Sequence, residues 1–121
     1  MSKTVMIVED YTDARLMMKC VIEWYGYEVI EAADGFEAIK KNAQYHPDLI
    51  LMDLALPSID GVSAAKIIRE TEGFDNVSII AVTAYGNTSF DKMIEAGFDD
   101  IFMKPVIFEK LEPVLQRYLA C

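Results

Sequence analysis

The chain has 121 residues, 53% of them hydrophobic and 26% charged, which predicts one folded domain over residues 1–121 and excludes a disordered chain. Its 20 acidic and 11 basic residues give a net charge of −9, which argues against direct nucleic-acid binding, because such domains usually carry a basic patch. The N-terminus lacks a secretion signal and no apolar run approaches the ~20 residues that cross a bilayer, so we expect a cytoplasmic protein without membrane insertion.

Five short apolar runs alternate with stretches of helical spacing. The runs predict strands at Thr4–Val8, Tyr27–Ala32, Leu49–Met52, Ser78–Thr83 and Asp100–Met103. The first, third and fourth runs are almost uniformly apolar, as is typical of strands that are buried on both faces of a parallel sheet.

The intervening stretches predict five helices. Their approximate bounds are Thr12–Tyr25, Gly35–Tyr45, Val62–Glu70, Thr88–Glu95 and Ile107–Leu119. Spacings of three and four predict two inward-facing stripes: Ala14, Met17 or Met18, Val21 and Tyr25 in the first helix, and Phe90, Met93 and Ile94 in the fourth. Asp34 is the expected N-cap of the second helix. Pro113 falls inside the fifth, where proline disrupts a helix, so we expect a kink or a late start there.

Strand and helix thus alternate five times. This pattern predicts an α/β fold, a doubly wound (βα)5 arrangement with a five-stranded parallel sheet and helices on both faces. Ligands of such sheets bind at the carboxyl ends of the strands. The chain ends directly after the fifth helix, so we expect no attached output domain.

Polar residues follow four of the predicted strands at the same edge of the sheet. Glu9-Asp10 follows the first strand, Asp53 the third, Thr83 ends the fourth, and Lys104-Pro105 follows the fifth. Each of these alone is usually a helix cap, a loop residue or a structural residue. Their joint occurrence at matching strand ends predicts a functional site.

Three carboxylates at one edge repel each other, and a hard divalent cation removes that conflict. Mg²⁺ prefers oxygen ligands, so we expect Asp10 and Asp53 as direct ligands and Glu9 as a ligand through water, with Mn²⁺ as an alternative ion. Asp53 is also a candidate nucleophile that forms an acyl phosphate. Lys104 and the Thr83 hydroxyl would then neutralise and bind the phosphoryl oxygens.

These residues stand in segments that resemble the receiver domain of two-component response regulators, over the whole length of the chain. The matching segments are Val5–Asp10, Pro47–Asp53, Asp53–Gly61, Ile80–Ala84, Ala96–Asp100 and Ile101–Pro105. The resemblance implies a flavodoxin-like sheet with strand order 2-1-3-4-5.

The resemblance also implies how the site works. A histidine kinase or a histidine phosphotransfer protein would donate a phosphoryl group to Asp53. Glu9 and Asp10 would be the acidic metal-binding pair, and the Ala55 carbonyl would be a third protein ligand. The domain would be a phosphoacceptor that assists its own phosphorylation and dephosphorylation rather than an enzyme with a separate substrate.

The remaining implied roles concern the switch. Thr83 would be the switch hydroxyl and Lys104 the lysine that contacts the phosphoryl group, and the peptide bond before Pro105 would be cis. A downstream protein target would bind the face formed by the fourth helix, fifth strand and fifth helix. A homodimer through that same face is also compatible with the resemblance.

The sequence departs from the family pattern at three positions. Ile101 stands where the family usually has Tyr or Phe, while Phe102 should point to the opposite face of the strand. Ala55 and Tyr85 occupy positions that tune the phosphoryl lifetime. Because Ala55 cannot orient an attacking water and Tyr85 can shield the site, we expect slow self-dephosphorylation.

Alternative interpretations remain open at this point. One is a phosphate-independent receiver-like module that binds proteins, and another is a fragment of a longer response regulator. A phosphatase of the haloacid dehalogenase type would need a second Asp at position 55, where Ala stands. A flavin-binding flavodoxin would need a first loop rich in Ser, Thr and Gly, where Glu9-Asp10 would repel a phosphate.

Overall fold

The computed structural model describes residues 3–71, 77–84 and 90–119, except for the side chain of Phe90. Its strands are β1 (Thr4–Val8), β2 (Glu28–Ala32), β3 (Leu49–Asp53), β4 (Ser78–Thr83) and β5 (Asp100–Met103). Its helices are α1 (Thr12–Trp24), α2 (Gly35–Tyr45), α3 (Gly61–Glu70), α4 (Phe90–Ala96) and α5 (Phe108–Leu119). Strand and helix alternate five times, as the sequence predicts.

The five strands form one parallel sheet in the order β2-β1-β3-β4-β5. The fold class and the strand order are therefore confirmed. Val8 of β1 pairs with Met52 of β3, so the residues that follow this pair emerge side by side. The strand order reverses between β1 and β3, and ligands of open α/β sheets bind at such a switch point.

Burial explains why three of the strands are so apolar. Every residue of β3 is buried, and so are Val5–Val8 of β1 and Ile79–Thr83 of β4. Helices cover both faces of these strands. One apolar cluster joins the sheet to α1 and α5 through Met18, Ile22, Leu111, Leu115 and Leu119. A second cluster joins the opposite face to α2, α3 and α4 through Ala38, Ala64, Ala65, Ile68, Met93 and Ala96.

The inward stripes of two helices differ from the sequence prediction. In α1 the buried residues are Met18, one of the two predicted alternatives, and Ile22, which was not predicted; Met17, the other alternative, is 57% exposed. In α4 Met93 is buried and Ile94 is 47% exposed. Neighbouring helical residues point about 100° apart, so both members of a pair cannot face the sheet directly. The predicted start of the fourth helix at Thr88 lies outside the described residues.

Helix ends follow from local capping. Asp34 caps α2, because its Oδ1 accepts a hydrogen bond from the backbone N–H of Glu37 at 2.8 Å, as expected. Asp60 caps α3 in the same way through Ser63 at 2.8 Å. The N-cap of α1 is Tyr11, whose side chain makes no capping bond.

Two further features concern α1 and α5. Trp24, the last residue of α1, is 82% exposed. The α5 helix begins at Phe108 and continues through Pro113, so the alternative of a late start is wrong. The Glu109 carbonyl has no backbone N–H at position 113 to bind, and a kink there stays a prediction. Among the helices that the structure describes, none has the length and apolarity of a membrane span.

Candidate functional site

Three acidic side chains meet where β1 and β3 end. Glu9, Asp10 and Asp53 each place one carboxylate oxygen within 4.8 Å of the others. Glu9 and Asp53 are each only 5% exposed, while Asp10 is exposed. Two buried carboxylates this close repel each other, so the arrangement favours a cation between or beside them.

Lys104, directly after β5, supplies a positive charge to this cluster. Its Nζ atom lies 2.8 Å from Oδ2 of Asp53 and 3.2 Å from Oε1 of Glu9. The lysine side chain is 30% exposed. One cation thus bridges the ends of β1, β3 and β5.

Burial and the ion pairs of Lys104 with Asp53 and Glu9 shift the pKa values of Glu9 and Lys104. Burial and the nearby charge of Asp53 raise the pKa of Glu9, and the hydrogen bond from the Tyr11 N–H and the charge of Lys104 only partly offset this. Burial alone would lower the pKa of Lys104, but the hydrogen bonds and charges of Asp53 and Glu9 raise it. The site therefore holds its lysine charged and disfavours a second buried negative charge.

Asp53 itself is held at both oxygens. Its Oδ1 accepts a hydrogen bond from the Ala55 N–H at 3.0 Å, and its Oδ2 accepts from Lys104. The following loop folds back, because the Gly61 N–H donates to the Leu54 carbonyl at 3.2 Å. Both bonds to the carboxylate come from groups that can also bind an anion, and Ala55 is exposed beside them.

Thr83 lies at the end of β4 and is 6% exposed. Its carbonyl accepts a hydrogen bond from the Lys104 N–H at 2.7 Å, and the Lys104–Pro105 peptide bond is cis. The backbone of the candidate switch residue is thus tied directly to the lysine that contacts Asp53.

The two residues in the middle of β5 point to opposite faces of the sheet. Ile101 packs against the cluster that contains Met93 of α4, whereas Phe102 packs against the cluster that contains Leu111 of α5. The aromatic ring beside Ile101 therefore does not replace the missing aromatic residue at position 101, as the sequence predicts. Tyr85, the other expected tuning residue, lies outside the described residues.

One residue beside the site, Arg15, was not predicted from the sequence. Arg15 of α1 donates from Nη1 to the carbonyl of Glu9 at 2.9 Å and from Nε to Glu31 of β2 at 3.1 Å. A cation in the first turn of a helix opposes the helix dipole. That placement indicates that the arginine has a compensating partner, but it does not identify the Glu9 carbonyl as that partner.

An apolar cleft of about 220 Å³ adjoins the acidic cluster. Glu9 and Lys104 lie in its wall, and its remaining lining residues belong to α1 and to the segment after β5: Ala14, Met17, Met18, Pro105, Val106 and Phe108. The exposed Met17 thus lies beside the site rather than in the core.

A family model described as "Response regulator receiver domain" matches residues 5–116. The chain belongs to the response regulator receiver family. The five residues Glu9, Asp10, Asp53, Thr83 and Lys104, predicted as a site from the sequence, all lie at one edge of the sheet of this receiver domain.

Relatives and solved structures agree with this assignment. The polar-differentiation response regulator DivK of Brucella ovis is 34% identical over 121 residues, covering 99% of this chain and 98% of the relative. The receiver domain of the sensor histidine kinase PA1611 from Pseudomonas aeruginosa, solved with magnesium in its active-site cleft, is 32% identical with a TM-score of 0.90 and full coverage of both chains. The chemotaxis protein CheY4 of Vibrio cholerae is 30% identical with a TM-score of 0.90, covering 98% of this chain and all of that one.

Proposed function

We propose that this receiver domain accepts a phosphoryl group on Asp53 and uses it to switch a protein-binding surface. The observation that carries the proposal is the setting of Asp53: a buried carboxylate bonded to the Ala55 N–H and to Lys104, with Glu9 and Asp10 within 4.8 Å. Two further acids at this distance would destabilise a carboxylate that served only to stabilise the fold, because their negative charges repel it.

The same acids suit a magnesium ion. Glu9, Asp10 and Asp53 would hold Mg²⁺ or Mn²⁺ with carboxylate oxygens or through water, and the Ala55 carbonyl would be a further ligand. The magnesium in the cleft of the related PA1611 receiver domain supports this choice of ion. When bound, the ion neutralises charge on the transferring phosphoryl group.

The donor would be a phosphohistidine of a histidine kinase or a histidine phosphotransfer protein. An oxygen of Asp53 attacks phosphorus, a P–O bond forms, the P–N bond to the imidazole breaks, and the imidazole leaves with the bonding electrons. Lys104 lies beside Oδ2 of Asp53, so its ammonium can move onto a phosphoryl oxygen as negative charge accumulates there. The chain would thereby assist its own phosphorylation and, by the same groups, its hydrolysis.

The charge of the phosphoryl group would then drive the switch. Phosphorylation adds about −1.5 to −2 charge and three acceptor oxygens. Thr83 and Lys104 would bind these oxygens, and because their backbones are bonded to each other at 2.7 Å, β4 and β5 would respond together. The surface of α4, β5 and α5 would change its affinity for a downstream protein or for a second copy of the chain.

Two positions would set the character of this switch. Ile101 provides no aromatic side chain with which Thr83 could move in concert, so coupling would run through the Thr83–Lys104 backbone bond. Ala55 has no polar side chain to orient a hydrolytic water, and Tyr85 would shield the phosphoryl group. We therefore expect slow loss of the phosphoryl group. We also expect the protein to be cytoplasmic and not to bind nucleic acid itself.

The decisive experiment is incubation with acetyl phosphate and Mg²⁺ followed by intact-mass measurement. The wild-type chain should gain one phosphoryl group and Asp53→Ala should gain none. Asp13→Ala, which removes an exposed aspartate from the first turn of α1, is the matched control and should gain one group. An unchanged wild-type mass, or equal gain in Asp53→Ala, would contradict the proposal and favour a phosphate-independent binding module.

The phosphoryl lifetime requires a second measurement. After removal of acetyl phosphate, the fraction of phosphorylated chain is followed by mass over time, with Ala55→Asn as the comparison. The wild-type half-life should exceed that of Ala55→Asn, since an amide can orient water. A wild-type half-life of only seconds would contradict slow self-dephosphorylation while leaving phosphorylation itself intact.

A further inference from the structure

Arg15 links the acidic loop to the edge strand of the sheet. Its Nη1 donates to the carbonyl oxygen of Glu9 at 2.9 Å, and its Nε donates to Oε1 of Glu31 at 3.1 Å. The arginine side chain is only 16% exposed and that of Glu31 only 28%. The guanidinium group is therefore enclosed between α1, β2 and the loop after β1.

The carbonyl that Arg15 binds belongs to the peptide unit that joins Glu9 to Asp10. Because a peptide unit is planar, fixing the Glu9 carbonyl also fixes the direction of the Asp10 N–H and the position of its Cα. Two further bonds hold Glu9: its N–H donates to the Ala32 carbonyl at 3.0 Å, and its Oε2 accepts from the Tyr11 N–H at 3.1 Å. The Arg15 bond thus acts on the peptide unit that leads into Asp10.

The bond from Arg15 to the Glu9 carbonyl also stabilises the start of α1. The N-cap residue Tyr11 makes no side-chain capping bond, so a cap does not fix the junction between the acidic loop and the helix. Arg15 reaches back from the first turn of α1 to the Glu9 carbonyl and fixes that junction instead.

Glu31 in turn holds the arginine in place. Burial alone would raise the pKa of Glu31, but hydrogen bonds from Arg15 and Lys19 lower it, so its carboxylate stays charged. Lys41 donates to the backbone carbonyl of Glu31 at 2.5 Å and pairs with Glu37 at 3.2 Å. The anchor of Arg15 is therefore itself bonded to both α1 and α2.

We propose that Arg15 is a positioning residue for the metal ion, acting by orienting the Glu9–Asp10 peptide, with Glu31 as its anchor. This inference rests on the proposed function, in which Glu9, Asp10 and Asp53 bind Mg²⁺. Partners of this kind that orient metal ligands without touching the metal typically change metal affinity by about 10–100-fold.

Charge and positioning make opposite predictions for this residue. Loss of the Arg15 cation near the acidic cluster would strengthen the binding of a dication by simple electrostatics. Loss of its hydrogen bond to the Glu9 carbonyl would weaken the binding of the dication. A weaker affinity in a folded Arg15→Ala variant is therefore a readout that the change in net charge does not produce.

The test is a titration of each variant with Mn²⁺ alone, in which free Mn²⁺ is counted by electron paramagnetic resonance. Arg15→Ala should weaken Mn²⁺ binding by about 10-fold. Arg15→Lys keeps the charge but lacks the planar fork that binds a carbonyl and a carboxylate together, so its Mn²⁺ affinity should fall between those of the wild type and Arg15→Ala. This second variant also serves if Arg15→Ala folds poorly.

Arg69 offers a matched control. It also binds a backbone carbonyl and a carboxylate, with Nε 2.8 Å from the Gly97 carbonyl oxygen and Nη2 2.8 Å from Oδ2 of Asp99. Those partners lie at the opposite edge of the sheet, just before β5 begins. Arg69→Ala should lower stability in circular dichroism but leave the Mn²⁺ affinity unchanged.

The outcomes separate the inference from the proposed function. If the wild type binds Mn²⁺ and takes up a phosphoryl group while Arg15→Ala and Arg15→Lys bind Mn²⁺ as tightly or more tightly, the positioning role is wrong and the proposed function stands. Equal weakening in Arg69→Ala would also overturn the positioning role. A wild-type chain that binds no Mn²⁺ would overturn the metal site and this inference together.

Discussion

The backbone of Gly61 packs directly against that of Asp53. A Cβ atom at position 61 would overlap the Asp53 carbonyl oxygen and would lie 2.9 Å from the Cα of Leu54. Gly61 also donates its N–H to the Leu54 carbonyl at 3.2 Å. The first residue of α3 therefore sets the path of the chain immediately after the candidate phosphoacceptor, and it can do so only without a side chain.

Gly61→Ala should consequently destabilise the protein by about 1–3 kcal/mol, the usual cost of overpacking a filled space. Because the displaced atoms are those of Asp53 and Leu54, phosphorylation by acetyl phosphate should slow as well. Urea unfolding followed by circular dichroism measures the first effect and intact mass the second.

Gly26→Ala is the comparison for that variant. Gly26 has φ 98°, but a Cβ atom added there would meet nothing within 4 Å, so only backbone strain of about 1 kcal/mol opposes alanine. The substitution should lower stability without slowing phosphorylation. If Gly61→Ala had the stability and the phosphorylation rate of the wild type, the loop after β3 would be able to shift freely, and the prediction would be wrong.

Lys104→Met should lower stability at neutral pH, because Glu9 and Asp53 are then buried without their shared cation. We expect a loss of about 2 kcal/mol, below the ~3–5 kcal/mol of a fully buried pair because the lysine side chain is 30% exposed. Lys66→Met, which changes an exposed lysine of α3, should cost little. Equal effects of the two substitutions would contradict a specific role for the Lys104 ion pairs.

The alkaline limb of the stability curve gives a second check on Lys104. Its pKa is raised above the ordinary value of 10.5, so the stability it contributes is fully present below pH 10.5 and is lost as the pH rises through the folded-state pKa. The difference in unfolding free energy between the wild type and Lys104→Met should therefore shrink in that range. A constant difference would argue that the substitution acts through packing alone.

The sequence was sufficient for the fold because each strand and helix follows from a local pattern. The uniformly apolar runs of β1, β3 and β4 predict strands covered on both faces, and Asp34 predicts the start of α2 through its capping bond. Positions that depend on which of two adjacent residues turns inward were less predictable. Ile94 was wrongly assigned an inward position, and Met17 could not be told apart from Met18, because helical spacing alone does not fix the rotation of a helix about its axis.

The same distinction applies to the candidate site. Strand ends of a parallel sheet share one edge, so the convergence of Glu9, Asp53 and Lys104 could be predicted from their places in the chain. The contact of Arg15 with the Glu9 carbonyl could not, because it depends on the distance between α1 and β2 and on a backbone acceptor that has no residue-specific pattern.

Glu9→Gln should stabilise the metal-free protein at neutral pH. Burial and the charge of Asp53 raise the pKa of Glu9, so its ionised form is disfavoured in the folded state. Such a group adds stability below its ordinary pKa and loses it as the pH rises through the folded-state pKa. Thermal unfolding without metal should show the gain at neutral pH and its disappearance at acidic pH, where wild-type Glu9 is also neutral.

Magnesium should reverse that order. A ligand at about 100 times its dissociation constant stabilises the folded state by about 2.7 kcal/mol, and Glu9→Gln should receive less of this because it lacks one carboxylate. Equal stabilisation of the two chains by Mg²⁺ would exclude Glu9 from the metal site.

Tyr118 provides a test on the face of α4, β5 and α5. Its hydroxyl donates to Oδ2 of Asp100 at 2.8 Å, and burial together with this carboxylate raises the pKa of Tyr118 to about 12. Asp100→Asn should lower that pKa toward the ordinary value of 10.0. Ultraviolet difference absorbance measures it, with Tyr118→Phe used to subtract the other tyrosines.

The raised pKa of Tyr118 determines how the stability of the protein changes with pH. Because the folded-state pKa of Tyr118 is raised, its contribution is fully present below pH 10.0 and is lost as the pH rises through about 12. Asp100→Asn should therefore show a shallower alkaline decline than the wild type. An unchanged tyrosine titration would mean that burial alone sets the pKa.

The only tryptophan of the chain, Trp24, ends α1 with 82% of its surface exposed. An indole already surrounded by water emits almost as it does in an unfolded chain, so its fluorescence should barely register denaturation. A shift of that emission to shorter wavelength would instead signal that another molecule has covered the end of α1. The fluorescence of Trp24 should therefore report the binding of another molecule at the end of α1 and respond little to unfolding.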